Sequence, residues 1–208
     1  AARDISRLAV GDEALTLVPA TATYKVPKLL EQDVRVSDDL PFGSRGGAAI
    51  RYYFPVDGEY VIKLFFDRTY DGRVRGLSEP HDLEVRLNGA RVETIAIGGG
   101  TSGRGSRIVA VDGTEVRFAA KAGPAIVGVS FVKKIAQPEG MARPQYAVTS
   151  YEYAGDVTIP PAIGSIEQRA PYNVTGPGES PSRRRIFSCR PAAGSDALDC
   201  ARAILTRI

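Results

Sequence analysis

Apolar and polar residues alternate most regularly between Ala48 and Phe66, in the stretch AAIRYYFPVDGEYVIKLFF. In its first half Ile50, Tyr52 and Phe54 share one face of an extended chain, with Arg51 and Tyr53 on the other. In its second half Tyr60, Ile62, Leu64 and Phe66 alternate with Val61, Lys63 and Phe65. A period of two is that of a strand with one buried face. Between the halves, Pro55-Val56-Asp57-Gly58 predicts a tight turn, because proline fixes φ and Asp-Gly tolerates positive φ.

The same alternation recurs downstream. Leu83, Val85 and Leu87 oppose Glu84 and Arg86, and Asn88-Gly89 then predicts a type I′ hairpin turn into a returning strand at 91–97. Residues 107–111 and 114–118 read as a second hairpin around Asp112-Gly113, and 125–132 places Val127, Val129 and Phe131 on one side. Extended segments are expected at 15–26 and 32–36, and one more strand at 163–169. Residues 133–160 are irregular and proline-rich. The Gly176-Pro177-Gly178 stretch makes 171–181 a loop. No helical period interrupts 48–132, which argues against a parallel βαβ sheet. The pattern predicts an all-β fold, an antiparallel β-sandwich of the jelly-roll kind.

Short helices flank it. Ile5, Leu8 and Ala9 precede Gly11 at helical spacing, and Leu198, Ala201, Leu205 and Ile208 form a stripe behind Ser195, Asp196 and Asp199. The expected units are a helix end at 1–14, the sandwich at 15–170, and an extended loop with a C-terminal helix at 171–208.

Composition narrows the class without changing it. With 43% apolar and 25% charged residues the chain is ordinary globular protein. No apolar run approaches the roughly 20 residues that span a bilayer, so no transmembrane segment is expected. Ala1-Ala2-Arg3-Asp4 leads into no signal-peptide core, which fits either a mature product or an excised piece. The 27 basic and 24 acidic residues are well mixed, and Arg183-Arg184-Arg185 is too short for a phosphate track. Nucleic acid is not an expected partner.

Candidate chemistry is sparse. Gly98–Gly105 lacks the Lys-Ser/Thr of a phosphate loop and the strand-to-helix setting of a dinucleotide fingerprint, so it reads as a β-loop. His81 is the single histidine and no Gly-x-Ser-x-Gly elbow accompanies it, so it reads as a hydrogen-bonded structural residue, with ligand contact as a second role. Asp67, Asp71, Glu79 and Asp82 lie in or beside one long connection, where carboxylate oxygens suit calcium. Asp67 and Asp71 are the candidate calcium ligands; Tyr70, Glu79, His81 and Asp82 are the candidate ligand contacts. The chain has no tryptophan, which leaves Tyr70, Tyr146, Tyr151, Tyr153 and Tyr172 as rings for stacking on a sugar. No carboxylate pair stands out as an acid and a base, and no enzyme activity is expected.

Cys189 and Cys200 form a disulfide or remain two buried thiols. A single histidine rules out a four-ligand zinc site, while the even count, close spacing and Pro/Gly-rich surroundings favour the disulfide. Closing so short a loop contributes about 3 kcal/mol on the chain-entropy account. A disulfide places the chain in an oxidising compartment, periplasmic or extracellular.

Two stretches carry a family resemblance. Gly76-Leu77-Ser78-Glu79-Pro80-His81-Asp82-Leu83-Glu84-Val85, behind Phe54-Pro55-Val56-Asp57-Gly58-Glu59-Tyr60, resembles the middle region of large exported proteins of planctomycetes and acidobacteria, often linked to a cytochrome c-like domain. The tail from Ala170-Pro171-Tyr172 through Arg183-Arg184-Arg185-Ile186-Phe187, then Cys189-Arg190-Pro191 and Cys200-Ala201, is similar to that family's junction into a following helical domain. The resemblance implies a jelly-roll module similar to calcium-dependent xylan-binding carbohydrate modules. Cys-x-x-Cys-His is missing, so no haem chemistry carries over. Two functions are therefore expected: a polysaccharide-binding module, or a structural subunit that fastens to a larger periplasmic or membrane-associated assembly through its C-terminal helix and proline-rich segments.

Overall fold

The computed structural model describes residues 2–10, 20–68, 72, 74, 76–77, 80–99, 113–133, 160–191 and 197–207. After α1 (Ala2–Val10) come β1 (Ala20–Lys25), β2 (Ser44–Phe54), β3 (Asp57–Phe66), β4 (His81–Leu87), β5 (Ala90–Ile97), β6 (Thr114–Ala120), β7 (Gly123–Val132) and β8 (Ile163–Gly176). Helices α2 (Pro181–Ile186) and α3 (Ala197–Leu205) follow. The strands form two antiparallel four-stranded sheets, β1-β8-β3-β6 and β2-β7-β4-β5. This eight-stranded, two-sheet order is a jelly roll, as the alternation predicts.

The alternating residues fill the space between the sheets. Ile50 and Phe54 from β2, Tyr60, Ile62 and Leu64 from β3, Leu83 and Val85 from β4, and Val127, Val129 and Phe131 from β7 are all buried. The aromatic part of this core gathers around Phe54, whose ring lies 4.5 Å from Tyr60 and 4.9 Å from Tyr52, both edge-on. Burial raises the phenol pKa values of Tyr24, Tyr52 and Tyr60. For Tyr60 that effect outweighs the bond from its hydroxyl to Val56 O at 2.8 Å. These are packed phenols rather than nucleophiles.

Several sequence expectations need correction. β2 and β3 flank Pro55–Val56 but do not pair with each other; each belongs to a different sheet. The turn is an arch between the sheets, with Val56 buried inside it. A run of alternating residues fixes which face is buried but not which strand lies alongside. Residues 32–36 form bends rather than a strand. The last strand continues past 170 to Gly176, through the region expected to be loop. Pro171 is tolerated there because β8 bulges: Val61 pairs with Arg169 and Glu59 with Tyr172, leaving Ala170 and Pro171 opposite Tyr60. The arginine run is helical, because Ser180 caps α2 by accepting from Arg183 N at 3.2 Å and Pro181 opens its first turn. Strand 107–111 and the Ser195 cap lie outside the described residues; the other half of that hairpin is β6, which pairs with β3.

The two ends of the sandwich differ. At one end the connections Pro55–Val56, Asn88–Gly89 and Lys121–Ala122 are two residues each. Asn88 and Gly89 have φ of 50° and 81°, as a type I′ turn requires. Helix α2 sits at this end, with Pro181 against Gly123, and α1 packs on α2, where Arg183 donates to Val10 O. The long connections between strands, 26–43, 67–80, 98–113 and 133–162, attach to strand ends at the opposite pole.

Candidate functional site

The long-connection end is assembled by side chains that reach between distant segments. In β2, Gly46 and Gly47 adopt φ of 57° and 83° and shift the pairing with β7 between Arg45 and Ala48. A Cβ on Gly47 would lie 1.9 Å from Val129 O, so no other residue fits. The bulge turns Gly47 N toward Gln32 Oε1 at 3.0 Å. The same oxygen accepts from Ile163 N at 3.0 Å, while Gln32 Nε2 donates to Ile163 O at 2.9 Å. One buried amide thus ties the first connection to β2 in one sheet and β8 in the other.

Arg45 makes a second tie. It is 8% exposed, lies over the Phe131 ring at 4.6 Å, and donates to Pro161 O at 3.0 Å. Its Nη2 is 3.2 Å from His81 Nδ1, and His81 Nε2 is 3.0 Å from Gly76 O. A guanidinium can only donate, so Nδ1 accepts and the ring proton sits on Nε2, donating to Gly76 O. His81 therefore joins the start of β4 to the β3–β4 connection, in the structural role its sequence setting suggests.

Beside these ties lies a hollow of about 290 Å³ between the end of β1, the turn that follows it and the start of β8. Lys25, Lys28, Leu30, Gln32, Asp67 and Ser165 contribute to its walls. The walls are held by backbone bonds from Val26 N to Gly164 O (2.9 Å), Leu30 N to Pro27 O (3.0 Å) and Asp67 N to Ala162 O (2.8 Å).

The first connection also presents an aromatic ring to solvent. Phe42 is 91% exposed, the only aromatic residue among the large exposed apolar side chains of the described residues. It stands on a tight turn in which Ser44 N and Oγ both donate to Pro41 O, at 3.1 and 2.6 Å. The Arg35 guanidinium stands over one face of it, 4.5 Å from the ring centre, with Nε donating to Leu40 O at 2.8 Å, and the ring remains open to solvent.

Of the sequence candidates, Tyr70, Asp71 and Glu79 lie outside the described residues, as do Tyr146, Tyr151 and Tyr153. Asp67 closes β3 in one sheet and lines the hollow; there it shares the space with Lys25 and Lys28, whose ammonium groups act against a dication. His81 and Asp82 are consecutive on β4, so alternation sends them to opposite faces, with His81 on the side of buried Leu83. Among the described residues no three His, Cys, Asp or Glu side chains gather to hold a metal ion. Tyr172 belongs to β8 rather than a loop and is stacked by Arg117 at 5.1 Å. Sequence reasoning passed over Phe42, Gln32, Arg45, Lys25 and Lys28. Only the Gly46-Gly47 doublet inside an apolar strand offered a signal, that of a bulge.

At the opposite pole Cys189 and Cys200 are joined in a disulfide, with Cα atoms 5.5 Å apart. Among the described residues no helix is long and apolar enough to cross a membrane. No protein-family model matches the chain, and no curated protein matches its sequence.

Proposed function

We propose that the chain is a non-catalytic binding module of an exported protein and that its long-connection end recognises polysaccharide. The observation that carries this reading is the Phe42 ring, held on a hydrogen-bonded turn and almost wholly open to solvent. A flat apolar ring at a protein surface is costly to leave in water and suits the C–H face of a sugar. The hollow on the same pole supplies polar groups for hydroxyls. The jelly-roll resemblance supports the same ligand class, and the disulfide supports a periplasmic or extracellular setting. Affinity electrophoresis through gels containing xylan, pectin or other glycans, with calcium or with chelator, tests this reading. The expected result is retardation by at least one glycan, abolished by Phe42→Ala. Unretarded migration in every gel would count against the reading.

A second reading is a structural subunit of a larger assembly. It is favoured by apolar side chains left exposed on the terminal helices, Ile5 at 66% and Leu205 at 74%. Its test is the mass of the particle that carries the protein in its native source, where a stable large complex is expected.

A further inference from the structure

We propose that the hollow between β1 and β8 is a subsite for a carboxylate-bearing sugar ring, a uronic acid residue. The inference rests on the polysaccharide reading and specifies its ligand. At about 290 Å³ the hollow lies just below the roughly 300–1,000 Å³ typical of ligand pockets, a size for one ring rather than a chain segment. Its walls divide by chemistry. Pro27 and Leu30 contribute apolar surface suited to a ring face, and Ser165 and Asp67 are polar residues of the lining.

The charge balance then selects among sugars. Lys25, Lys28 and Asp67 are the ionisable residues that line the hollow, so the lining carries an excess positive charge. A neutral ring leaves that charge unmatched; a uronate carboxylate answers it with charge-assisted bonds from Nζ. Because the lysine heads are solvent-exposed point charges, the preference is moderate and screened by salt. The surrounding backbone bonds and the Gln32 tie fix the backbone of the walls before any ligand arrives, so the ordering lost on binding is that of the lysine side chains. The two ammonium groups also make calcium unnecessary for holding the carboxylate.

The test is calorimetric titration of the intact protein, in chelator, with oligomers of galacturonate, glucuronate and mannuronate, each beside its methyl ester. Esterification removes the charge and keeps the ring. At least one acid is expected to bind tenfold or more tighter than its ester, with an affinity that falls as salt rises. The Lys25→Gln/Lys28→Gln variant should erase that difference, and Lys25→Arg/Lys28→Arg should preserve it; a melting curve confirms that both are folded. Equal binding of acids and esters, unaffected by the lysine variants, would overturn the uronate subsite and leave the polysaccharide reading standing. No heat from any oligomer, together with no retardation in the glycan gels, would overturn both.

Discussion

At the pole of the two-residue connections, neighbouring turns fasten one another. Asp57 accepts from Ala122 N and Lys121 Nζ, each at 2.8 Å, and so joins the β2–β3 arch to the β6–β7 turn. Asn88 exchanges bonds with Ile126, accepting through Oδ1 at 2.9 Å and donating through its own N at 2.8 Å. At the other pole the ties come from Gln32 and Arg45, each reaching a residue more than a hundred positions away in sequence. The first pole is closed by local turn chemistry and carries the helices. The second is held open by long-range pins and presents the exposed ring and the hollow. A rigid scaffold with connections gathered at one end is a recurrent way of displaying a binding surface.

The comparison can be broken most severely at the shared core. Phe54→Ala should cost about 3–5 kcal/mol, because it leaves a void among Tyr52, Tyr60 and Phe118. Urea denaturation would read this as a lower midpoint with an unchanged slope, and both poles should loosen together. Gln32→Ala acts on the long-connection pole alone. It strips partners from Gly47 N, Ile163 N and Ile163 O, and unpaired buried groups cost about 1–3 kcal/mol each, so a loss of at least about 3 kcal/mol in all is expected. Amide hydrogen exchange should rise first around the β2 bulge and the start of β8, with the short turns still protected.

Asp57→Asn probes the short-turn pole, with an expected loss of about 1.5 kcal/mol at neutral pH, near the lower end for bonds to charged groups. Burial pushes the Asp57 carboxyl up, but the Lys121 and Ala122 bonds and the Lys121 charge outweigh this and hold it below the ordinary carboxylate range. A depressed folded-state pKa means that the stabilisation is fully present above the unfolded value, about 4, and is lost as pH falls through the folded one. The stability gap between wild type and Asp57→Asn should therefore narrow only below about pH 4. Acid titration of both proteins checks the sign.

Two further changes should leave the sandwich alone. Reducing Cys189–Cys200 should melt α3, whose Leu205 is exposed and whose anchor is buried Cys200, without moving the main transition. Far-ultraviolet circular dichroism against the tyrosine signal separates the two. Phe42→Ala, at a ring 91% exposed, should change stability by less than about 0.5 kcal/mol while removing glycan retention.

The contrast between poles also explains what the sequence disclosed. Asn88-Gly89 announces its turn because positive φ at two positions is a local demand that few dipeptides meet. The faces of β2, β3, β4 and β7 follow from alternation, and with them the all-β class. Strand partners do not follow, which is why 48–66 reads as two strands about a tight turn although its halves lie in different sheets. Gln32 is a polar residue in a short, unpatterned segment, and nothing within ten residues marks it as the tie between sheets. Phe42 resembles any loop phenylalanine until the turn beneath it is seen to keep its ring out of the core. The β8 extension was hidden because Gly176-Pro177-Gly178 marks 171–181 as loop, and the bulge that admits Pro171 depends on register with β3.

The most direct measurement is an amide chemical-shift map of isotope-labelled protein titrated with the glycan that retards it most. The account predicts that the largest displacements fall on 25–32, 42–44 and 163–165, with Asn88, Gly89, Lys121 and Ala122 unmoved. Displacements centred on the short turns or on α2 and α3 would contradict it and place the binding surface at the opposite pole.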